Sequence, residues 1–302
     1  MNTKMDTIIK LEKIDQYNKL KGIETLHPLI SVFDNTDTEN LPNNSRIHFG
    51  LYAIFLKAGH CGELRYGRNN YDYDEGTLVF VAPGQVIEVN NTDNYKPTGL
   101  ALLFHPDLIK GTTLGKNMSQ YSFFSYDSHE ALHLSLKEQQ IIKDLFGKLE
   151  YELGQSIDKH SKSIITNNIE LLLNYCVRFY DRQFVTRENI NTDILSKFEN
   201  LLNDYFVSEK AQNSGLPSVG YFADCLHLSP NYFGDLIKKE TGKTAQEHIQ
   251  LKLIDLAKER IFDTEKSVSQ IAFELGFKYP QHFNRMFKKN TGYTPNEYRS
   301  LN

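Results

Sequence analysis

The sequence predicts an α+β protein with two domains, a strand-rich N-terminal domain and an all-α C-terminal domain. Two observations predict this division: runs of β-branched and aromatic residues end near residue 130, and the apolar patterns beyond it have helical spacing. Length is a third, because 302 residues suffice for two hydrophobic cores. We expect a first domain over 1–182, a polar linker over 183–191 and a second domain over 192–302.

Composition is that of a soluble globular protein, with 40% hydrophobic and 24% charged residues. The sequence contains no apolar run of about 18 residues, and its N-terminus mixes charges of both signs, so we expect a cytoplasmic protein without a membrane partner. Its three cysteines are far apart and form neither a disulfide framework nor a zinc or redox motif.

The N-terminal domain opens with TIIKLEKIDQYNKL, in which Ile8, Leu11, Ile14 and Tyr17 follow helical spacing. Short strand-like runs then follow, among them RIHFGLYAIFLKAG, EGTLVFVAPGQVIEVNN and TGLALLFHP. Strands at this spacing are typical of a sandwich or a small barrel, here over about residues 25–130.

Two helices are predicted to follow the strands, over about residues 136–182. Ser135 and Glu138 form a capping box before the first, and the second spans about Lys162 to Tyr180. Both are more apolar than one small barrel needs. They either cover the barrel or form the seam of a homodimer, and the two roles are compatible.

The C-terminal domain contains one phrase twice, YFGDLIKKETGKTAQEHI from Tyr232 and HFNRMFKKNTGYTPNEYR from His282. Each copy has an apolar anchor, Phe233 or Phe283, a glycine suited to end a helix, and a Thr-x-x-Glu capping box for the next one. Each is preceded by a short capped helix with a central alanine and a tight turn. This is the helix-turn-helix pattern, predicted at about 218–242 and 267–292.

The helix predicted between the two units, over residues 245–262, has a length of about 27 Å. That length can hold two recognition helices about one DNA turn apart on one face of the duplex. The sequence therefore predicts a chain that reads two successive major-groove segments of double-stranded DNA.

The second copy resembles the C-terminal signature of AraC-type transcriptional regulators. The matching residues are Ala272, Leu275, Gly276, Phe277, Phe283, Arg285, Phe287, Lys288, Lys289, Gly292, Thr294, Pro295, Tyr298 and Arg299. The resemblance covers about residues 192–302, and the N-terminal strands and helices are similar to that family's cupin-like sensing and dimerisation domain. It implies a sequence-specific DNA-binding regulator, an effector-responsive activator that contacts RNA polymerase, although repression is left open by the residues themselves.

Residues for DNA contact are predicted by position on the two recognition helices. The resemblance and the outward face of the helices assign base contacts to Pro280, Gln281, His282, Asn284 and Arg285 in the second unit and to Asn231 and Tyr232 in the first. Phosphate contacts are assigned to Lys238, Lys239, Lys288 and Lys289. Because Gly234 and Asp235 occupy the first helix where base- or phosphate-seeking side chains are expected, the second unit should carry most of the specificity.

Charge is divided unevenly along the chain. The net charge is −4, but the segment from Pro217 onward carries +2 and the remainder −6. A few lysines on one face can therefore bind phosphates in a protein that is acidic overall.

A metalloenzyme is the alternative function. HEALH, His129 to His133, matches the zinc-protease pattern H-E-x-x-H, but Leu132 to Leu134 alternate like a strand and the helix is predicted to start only at Ser135. A cupin-type metal site is disfavoured because no histidine occurs between His60 and His105. We therefore expect no enzyme activity, no metal and no cofactor. The barrel is expected to bind either a small organic effector or no ligand, and no effector-binding residue is assigned. The side chains considered for a pocket, which either line it or pack, are Tyr52, Arg65, Tyr66, Tyr71 and Tyr73.

Overall fold

The computed structural model describes residues 8–39, 41, 45–57, 76–89, 98–127, 130–186, 188–208 and 210–301. Its contacts divide the chain into two compact units, Met1–Thr186 and Arg187–Asn302. None of the described helices is both long and apolar enough to cross a membrane.

The described part of the first unit contains two β-sheets. The strands are β1 (Ile8–Leu11), β2 (Ile30–Asp34), β3 (Ser45–Phe49), β4 (Tyr52–Lys57), β5 (Thr77–Val81), β6 (Val86–Val89), β7 (Gly99–Phe104) and β8 (Leu132–His133). One sheet has the order β1-β3-β6 and the other β2-β7-β4-β5-β8. Neither sheet closes on itself within the described residues. The expected barrel is therefore not observed there, and the strands form two separate sheets.

Both sheets contribute to one hydrophobic core. Ile47 and Phe49 come from the smaller sheet, and Phe33, Ala53 and Leu103 come from the larger one. Alternation along each strand places these side chains on the inner face, as expected for sheets with one face covered. The observed arrangement therefore favours the sandwich among the two predicted architectures.

The prediction of one amphipathic helix at the N-terminus was wrong in its first half. Residues Ile8–Leu11 form β1, which pairs in parallel with Arg46–Phe49 of β3, and helix α1 spans Ile14–Lys21. The apolar residues of this segment fit both periods over such a short stretch. Pairing with β3 decides between them, which is a tertiary effect that local spacing does not contain.

Four further helices complete the first unit: α2 (Pro106–Ile109), α3 (Thr113–Asn117), α4 (Leu136–Leu153) and α5 (Ser161–Thr186). The predicted capping box opens α4, since the Glu138 amide donates to the Ser135 hydroxyl and the Ser135 amide donates to the Glu138 carboxylate at 2.7 Å. Helix α5 extends six residues beyond the predicted end at Tyr180. Residues 183–186 of the predicted linker belong to α5, and residues 188–191 belong to the next helix.

The second unit is helical throughout its described residues. Its helices are α6 (Glu188–Val207), α7 (Lys210–Ser214), α8 (Val219–Cys225), α9 (Pro230–Thr241), α10 (Ala245–Arg260), α11 (Val268–Glu274), α12 (Pro280–Thr291) and α13 (Pro295–Leu301). Helix α10 begins at the predicted residue 245, and helices α9 to α13 all begin at a proline or directly after a capping residue.

Two glycines bring α7 and α11 together. Gly276, in the turn after α11, has φ +93°, and a Cβ atom built on it would lie 2.8 Å from the Ala211 carbonyl oxygen and 2.8 Å from the Gly215 carbonyl carbon. The Tyr205 hydroxyl donates to the Gly215 carbonyl oxygen at 2.9 Å and fixes that loop. The second helix-turn-helix unit is therefore anchored to residues that precede the first one.

Candidate nucleic-acid interface

The turns of the two helix-turn-helix units have the same hydrogen bonds. The Leu228 amide donates to the Ala223 carbonyl oxygen at 3.0 Å, and the Phe277 amide donates to the Ala272 carbonyl oxygen at 2.9 Å. The turn residue itself has positive φ in both units, +57° at His227 and +93° at Gly276. Each unit therefore sets the crossing of its two helices in the same way.

The ends of the two recognition helices, α9 and α12, also match. Gly242 and Gly292 end them in the left-handed conformation, with φ of +75° and +84°. Thr241 donates its hydroxyl to Ile237 at 2.7 Å, and Thr291 donates to Phe287 at 2.8 Å. The sequence repeat is thus a repeat of hydrogen bonds.

Capping boxes follow each recognition helix and involve two acidic residues. The Thr244 amide donates to Glu247 and the Thr294 amide donates to Glu297, each at 2.7 Å. These amide bonds, and then the threonine hydroxyls, hold the pKa of each glutamate below its ordinary value. Both carboxylates thus stay ionised at neutral pH while serving the backbone.

Aromatic packing fixes the two recognition helices. In the first unit Phe233 packs edge-to-face on Phe198 of α6, with ring centroids 5.1 Å apart. In the second, Phe283 contacts Phe277 at 5.4 Å, and Phe287 contacts Tyr298 of α13 at 5.3 Å. Because these rings are buried, the opposite faces of α9 and α12 are turned outward.

The predicted contact residues of the second unit lie on the outward face of α12. Gln281, His282, Asn284, Arg285, Lys288 and Lys289 are all exposed, and Pro280 is half-buried at the first position of the helix. Four side chains predicted to contact bases and two lysines predicted to contact phosphates are therefore exposed on α12. Their polar groups can meet base edges near the N-terminus and phosphates near the C-terminus of the helix.

The first unit presents fewer of its predicted contacts. Asn231, Lys238 and Lys239 are exposed, but Tyr232 is 4% exposed and faces the interior, which contradicts its assignment as a base contact. Helix α6 packs against both α8 and α9, and the buried face of α9 includes Tyr232 together with Phe233. The two units thus differ at this position, since Tyr232 is buried whereas His282, fifty residues later, is exposed.

Tyr279 was missed by the sequence reasoning. It precedes α12, its side chain is 57% exposed, and its ring lies 5.5 Å from that of His282 at an angle of 67°. The equivalent residue of the first unit is Ser229, which is buried and whose hydroxyl accepts from the Tyr232 amide. Aligning the two copies of the repeat at an offset of fifty residues places Ser229 opposite Tyr279 and would have revealed this difference.

The HEALH segment does not form an α-helix in its described part. Leu132–His133 is strand β8, paired with Thr77 and Leu78, and the Glu130 carboxylate accepts from the Asp127 amide at 2.7 Å. His129 lies outside the described residues. Within the part of the chain that the structure describes, no three His, Cys, Asp or Glu side chains are grouped to hold a metal ion.

The side chains considered for an effector pocket are not brought together by the described residues. Tyr52 stacks on Phe104, with centroids 5.0 Å apart, and contacts Phe124 at 5.2 Å. Burial raises its pKa, in keeping with a packing role. Arg65, Tyr66, Tyr71 and Tyr73 lie outside the described ranges.

Comparison with known proteins identifies the second unit. Residues 222–300 match a family model described as a helix-turn-helix domain. The chain is 35% identical over 95 residues to the uncharacterized transcriptional regulatory protein YesN of Bacillus subtilis, a match that covers 31% of this chain and 26% of YesN.

Two further relatives match most of the chain at lower identity. The probable transcriptional regulator LumQ of Photobacterium leiognathi is 25% identical over 232 residues, 74% of this chain and 83% of LumQ. The HTH-type transcriptional activator RhaS of Escherichia coli is 24% identical over 257 residues, 83% of this chain and 86% of RhaS.

The two repeated units and the family match define the class of the second compact unit: residues 222–300 form a helix-turn-helix domain. Over most of its length the chain is similar to named transcriptional regulators, LumQ and RhaS among them. The chain spans about a quarter of the length of its YesN relative.

Proposed function

We propose that this protein is an effector-responsive activator that reads two successive major-groove segments through α9 and α12. The observation that carries the proposal is that the two units share the hydrogen bonds of their turns, recognition-helix ends and following capping boxes, and that each recognition helix is turned outward. Helix α10 joins them and has 16 residues, or about 24 Å of length. A connecting helix of this length suits two recognition helices that lie about one DNA turn apart.

Roles within the interface follow from side-chain chemistry. Arg285 can donate two hydrogen bonds to guanine, and Gln281 can both donate to and accept from adenine, each pair contributing about 1 to 3 kcal/mol of discrimination. Pro280, His282 and Asn284 lie on the same helix, and Asn231 is the remaining base contact proposed for the first unit. Lys238, Lys239, Lys288 and Lys289 neutralise phosphates.

Two alanine variants test this division of roles. The operator would first be selected from a random DNA pool at a stated salt concentration. Arg285→Ala should weaken binding about 10- to 100-fold at a guanine-containing operator and flatten the ranking of operator variants. Lys238→Ala should weaken all sequences by one factor and reduce the salt slope by about 0.9.

Lys137→Ala, which removes an exposed lysine of α4 in the other unit, is the matched control and should change neither quantity. If Arg285→Ala weakened all sequences equally, the base-reading role would be refuted. If the wild type selected no sequence from the pool, the proposed function itself would fail.

We also propose that α4 and α5 form the interface of a homodimer. Tyr151, Ile164 and Leu171 are 71%, 42% and 43% exposed, and Ile164 and Leu171 share one face of α5 because they are seven residues apart. Tyr151 and Ile164 line an open groove of about 520 Å³, together with Lys143, Asp144, Gly147, Lys148, Glu152 and Asn168. Both charge signs occur along the groove, so two copies related by a twofold axis can pair opposite charges.

The dimer is tested by sedimentation equilibrium of the full chain. Ile164→Glu, in the groove, should shift the protein towards monomer, whereas Leu136→Glu, at an 80% exposed position outside the groove, should not. Equal association of the two variants would place the interface elsewhere.

Sensing and activation are proposed on the family resemblance. We infer a cupin-like N-terminal domain that binds a small-molecule effector, a cytoplasmic location and activation by contact with RNA polymerase; RhaS, one of the relatives, is named a transcriptional activator. The absence of enzyme activity is likewise a proposal. Its support is that the described HEALH residues lie on a strand and a turn, whereas the zinc-protease mechanism needs both histidines on one helical face.

A further inference from the structure

The two units differ at the residue that opens each recognition helix. Ser229 caps α9 with its hydroxyl, which the Tyr232 amide reaches at 3.3 Å, and both residues are 4% exposed. At the equivalent position Tyr279 precedes α12, which begins without a side-chain cap among the described residues. Replacing a serine cap by a residue that cannot cap usually destabilises a helix. The second helix-turn-helix unit therefore lacks the stabilising side-chain cap of the first and has an exposed tyrosine ring at the same position.

The position of that ring is the part of a recognition helix that meets base edges. In helix-turn-helix domains the N-terminal residues of the second helix contact the floor of the major groove. Tyr279 is 57% exposed and its ring contacts that of His282, one turn into α12, at 5.5 Å. The His282 amide also donates to the Tyr279 carbonyl oxygen at 3.0 Å, which fixes the ring's attachment point.

The chemistry of the ring selects its target. The other side chains proposed to read bases from α12 include Gln281, His282, Asn284 and Arg285, which all act through polar atoms. The C5-methyl group of thymine is the apolar group that the major groove presents, and apolar side chains recognise it by contact. Pro280 is apolar but half-buried, so the exposed aromatic ring beside four polar readers supplies the larger apolar contact.

We propose that Tyr279 is a specificity-determining residue that recognises a thymine by contact with its C5-methyl group. The proposal rests on the proposed function, because it assigns one base within the segment read by the second unit. It predicts an asymmetry between the units: the first, with Ser229 and a buried Tyr232, has no aromatic residue exposed at the start of its recognition helix in the described structure.

The test removes the methyl group alone. In the operator selected by the full-length protein, each thymine would be replaced in turn by deoxyuridine and the dissociation constant measured at fixed salt. Wild-type protein should bind about fourfold more weakly when one thymine of the second unit's segment is replaced, the equivalent of one buried methyl group. Tyr279→Ala should bind the thymine and uracil operators equally.

Three variants make the result specific. Tyr279→Ser copies the cap of the first unit, so it should fold at least as well as the wild type and yet lose the thymine preference. Tyr279→Phe should keep the fourfold preference, since the ring and not the hydroxyl makes the contact. Tyr293→Ala removes a tyrosine that is 47% exposed beyond the far end of α12 and should leave the preference unchanged.

Two outcomes overturn the inference while leaving the proposed function intact. One is a selected operator in which no thymine-to-uracil replacement weakens binding, and the other is a preference that survives Tyr279→Ala. Loss of the preference in Tyr279→Phe would show that the hydroxyl makes the contact and would likewise refute the methyl assignment. Failure to select any DNA sequence would overturn both this inference and the proposed function.

Discussion

Gly276 is the position at which one added methyl group should damage the second helix-turn-helix unit. It lies in the left-handed region at φ +93°, and a Cβ atom there would approach two backbone atoms, of Ala211 and Gly215, to 2.8 Å. Backbone atoms cannot move aside as the end of a flexible side chain can. Gly276→Ala must therefore shift α11 away from α7 or strain the turn.

The expected cost combines three contributions. A Cβ atom in the left-handed region costs about 1 to 2 kcal/mol, and overpacking against the backbone adds about 1 to 3 kcal/mol. The lower entropy of the unfolded alanine chain returns about 0.4 to 1 kcal/mol. The net loss in the free energy of unfolding is then roughly 1.5 to 4 kcal/mol.

His227 provides the matched control, because it occupies the same turn position of the first unit at φ +57° and already carries a Cβ atom. His227→Ala should change stability by about 0.5 kcal/mol or less. The chain contains no tryptophan, so urea unfolding is best followed by far-UV circular dichroism. Hydrogen exchange of individual peptides would report the two units separately.

Faster exchange in Gly276→Ala should appear in peptides of α7 and α11, while peptides of the first unit's turn stay protected. Equal stability of the Gly276→Ala and His227→Ala variants would refute the close approach of the two loops.

Three further variants test other parts of the structure. Arg299→Met removes hydrogen bonds to the carbonyl oxygens at positions 261, 263 and 266, which are part-buried. It should cost about 2 to 3 kcal/mol in urea unfolding, because these carbonyls lose a charged donor, and a loss under about 0.5 kcal/mol would contradict this. Gly234→Ala should stabilise the compact unit Arg187–Asn302 by about 0.5 to 1 kcal/mol, because Gly234 is a helix-interior glycine with open space around its Cβ position. Gly147→Ala, the control, should stabilise only the compact unit Met1–Thr186. Destabilisation by Gly234→Ala would show that position 234 needs glycine. Burial lowers the pKa of Lys21 to about 8, so between about pH 8 and 10.5 the unfolded chain binds a proton that the folded protein has released. The stability of the wild type relative to Lys21→Met should therefore rise with pH across that window in calorimetry, and parallel pH profiles would show that the lysine is not buried.

The second unit could be predicted closely from sequence because its signals are local. Ser267, Thr244 and Thr294 cap helices through residues three positions later, and Gly242 and Gly292 end them, so each boundary is encoded within one turn of chain. Repetition of the same signals fifty residues apart removed the ambiguity that a single hairpin would have left.

The errors arose where distant residues decide the outcome. Ile8–Leu11 is a strand because β3 lies beside it, and Tyr232 is buried in a unit that α6 covers. Neither β3 nor α6 is visible in the local spacing of those segments. Tyr279 escaped notice for another reason: its significance lies in its difference from Ser229, which appears only when the repeat is compared position by position.

The close approach of Gly215 and Gly276 has a consequence for operator architecture. If helix α10 were the sole connection between the two helix-turn-helix units, the second unit could rotate about the axis of that helix relative to the first. The contact between Gly215 and Gly276 is a second point of attachment and restricts this rotation. Inserting one base pair between the two recognised segments turns the distal one by about 35°. Two helix-turn-helix units held together at two points cannot follow that rotation. Substitution of the base pairs between the two segments should therefore leave the DNA affinity unchanged, whereas insertion or deletion of a base pair there should lower it.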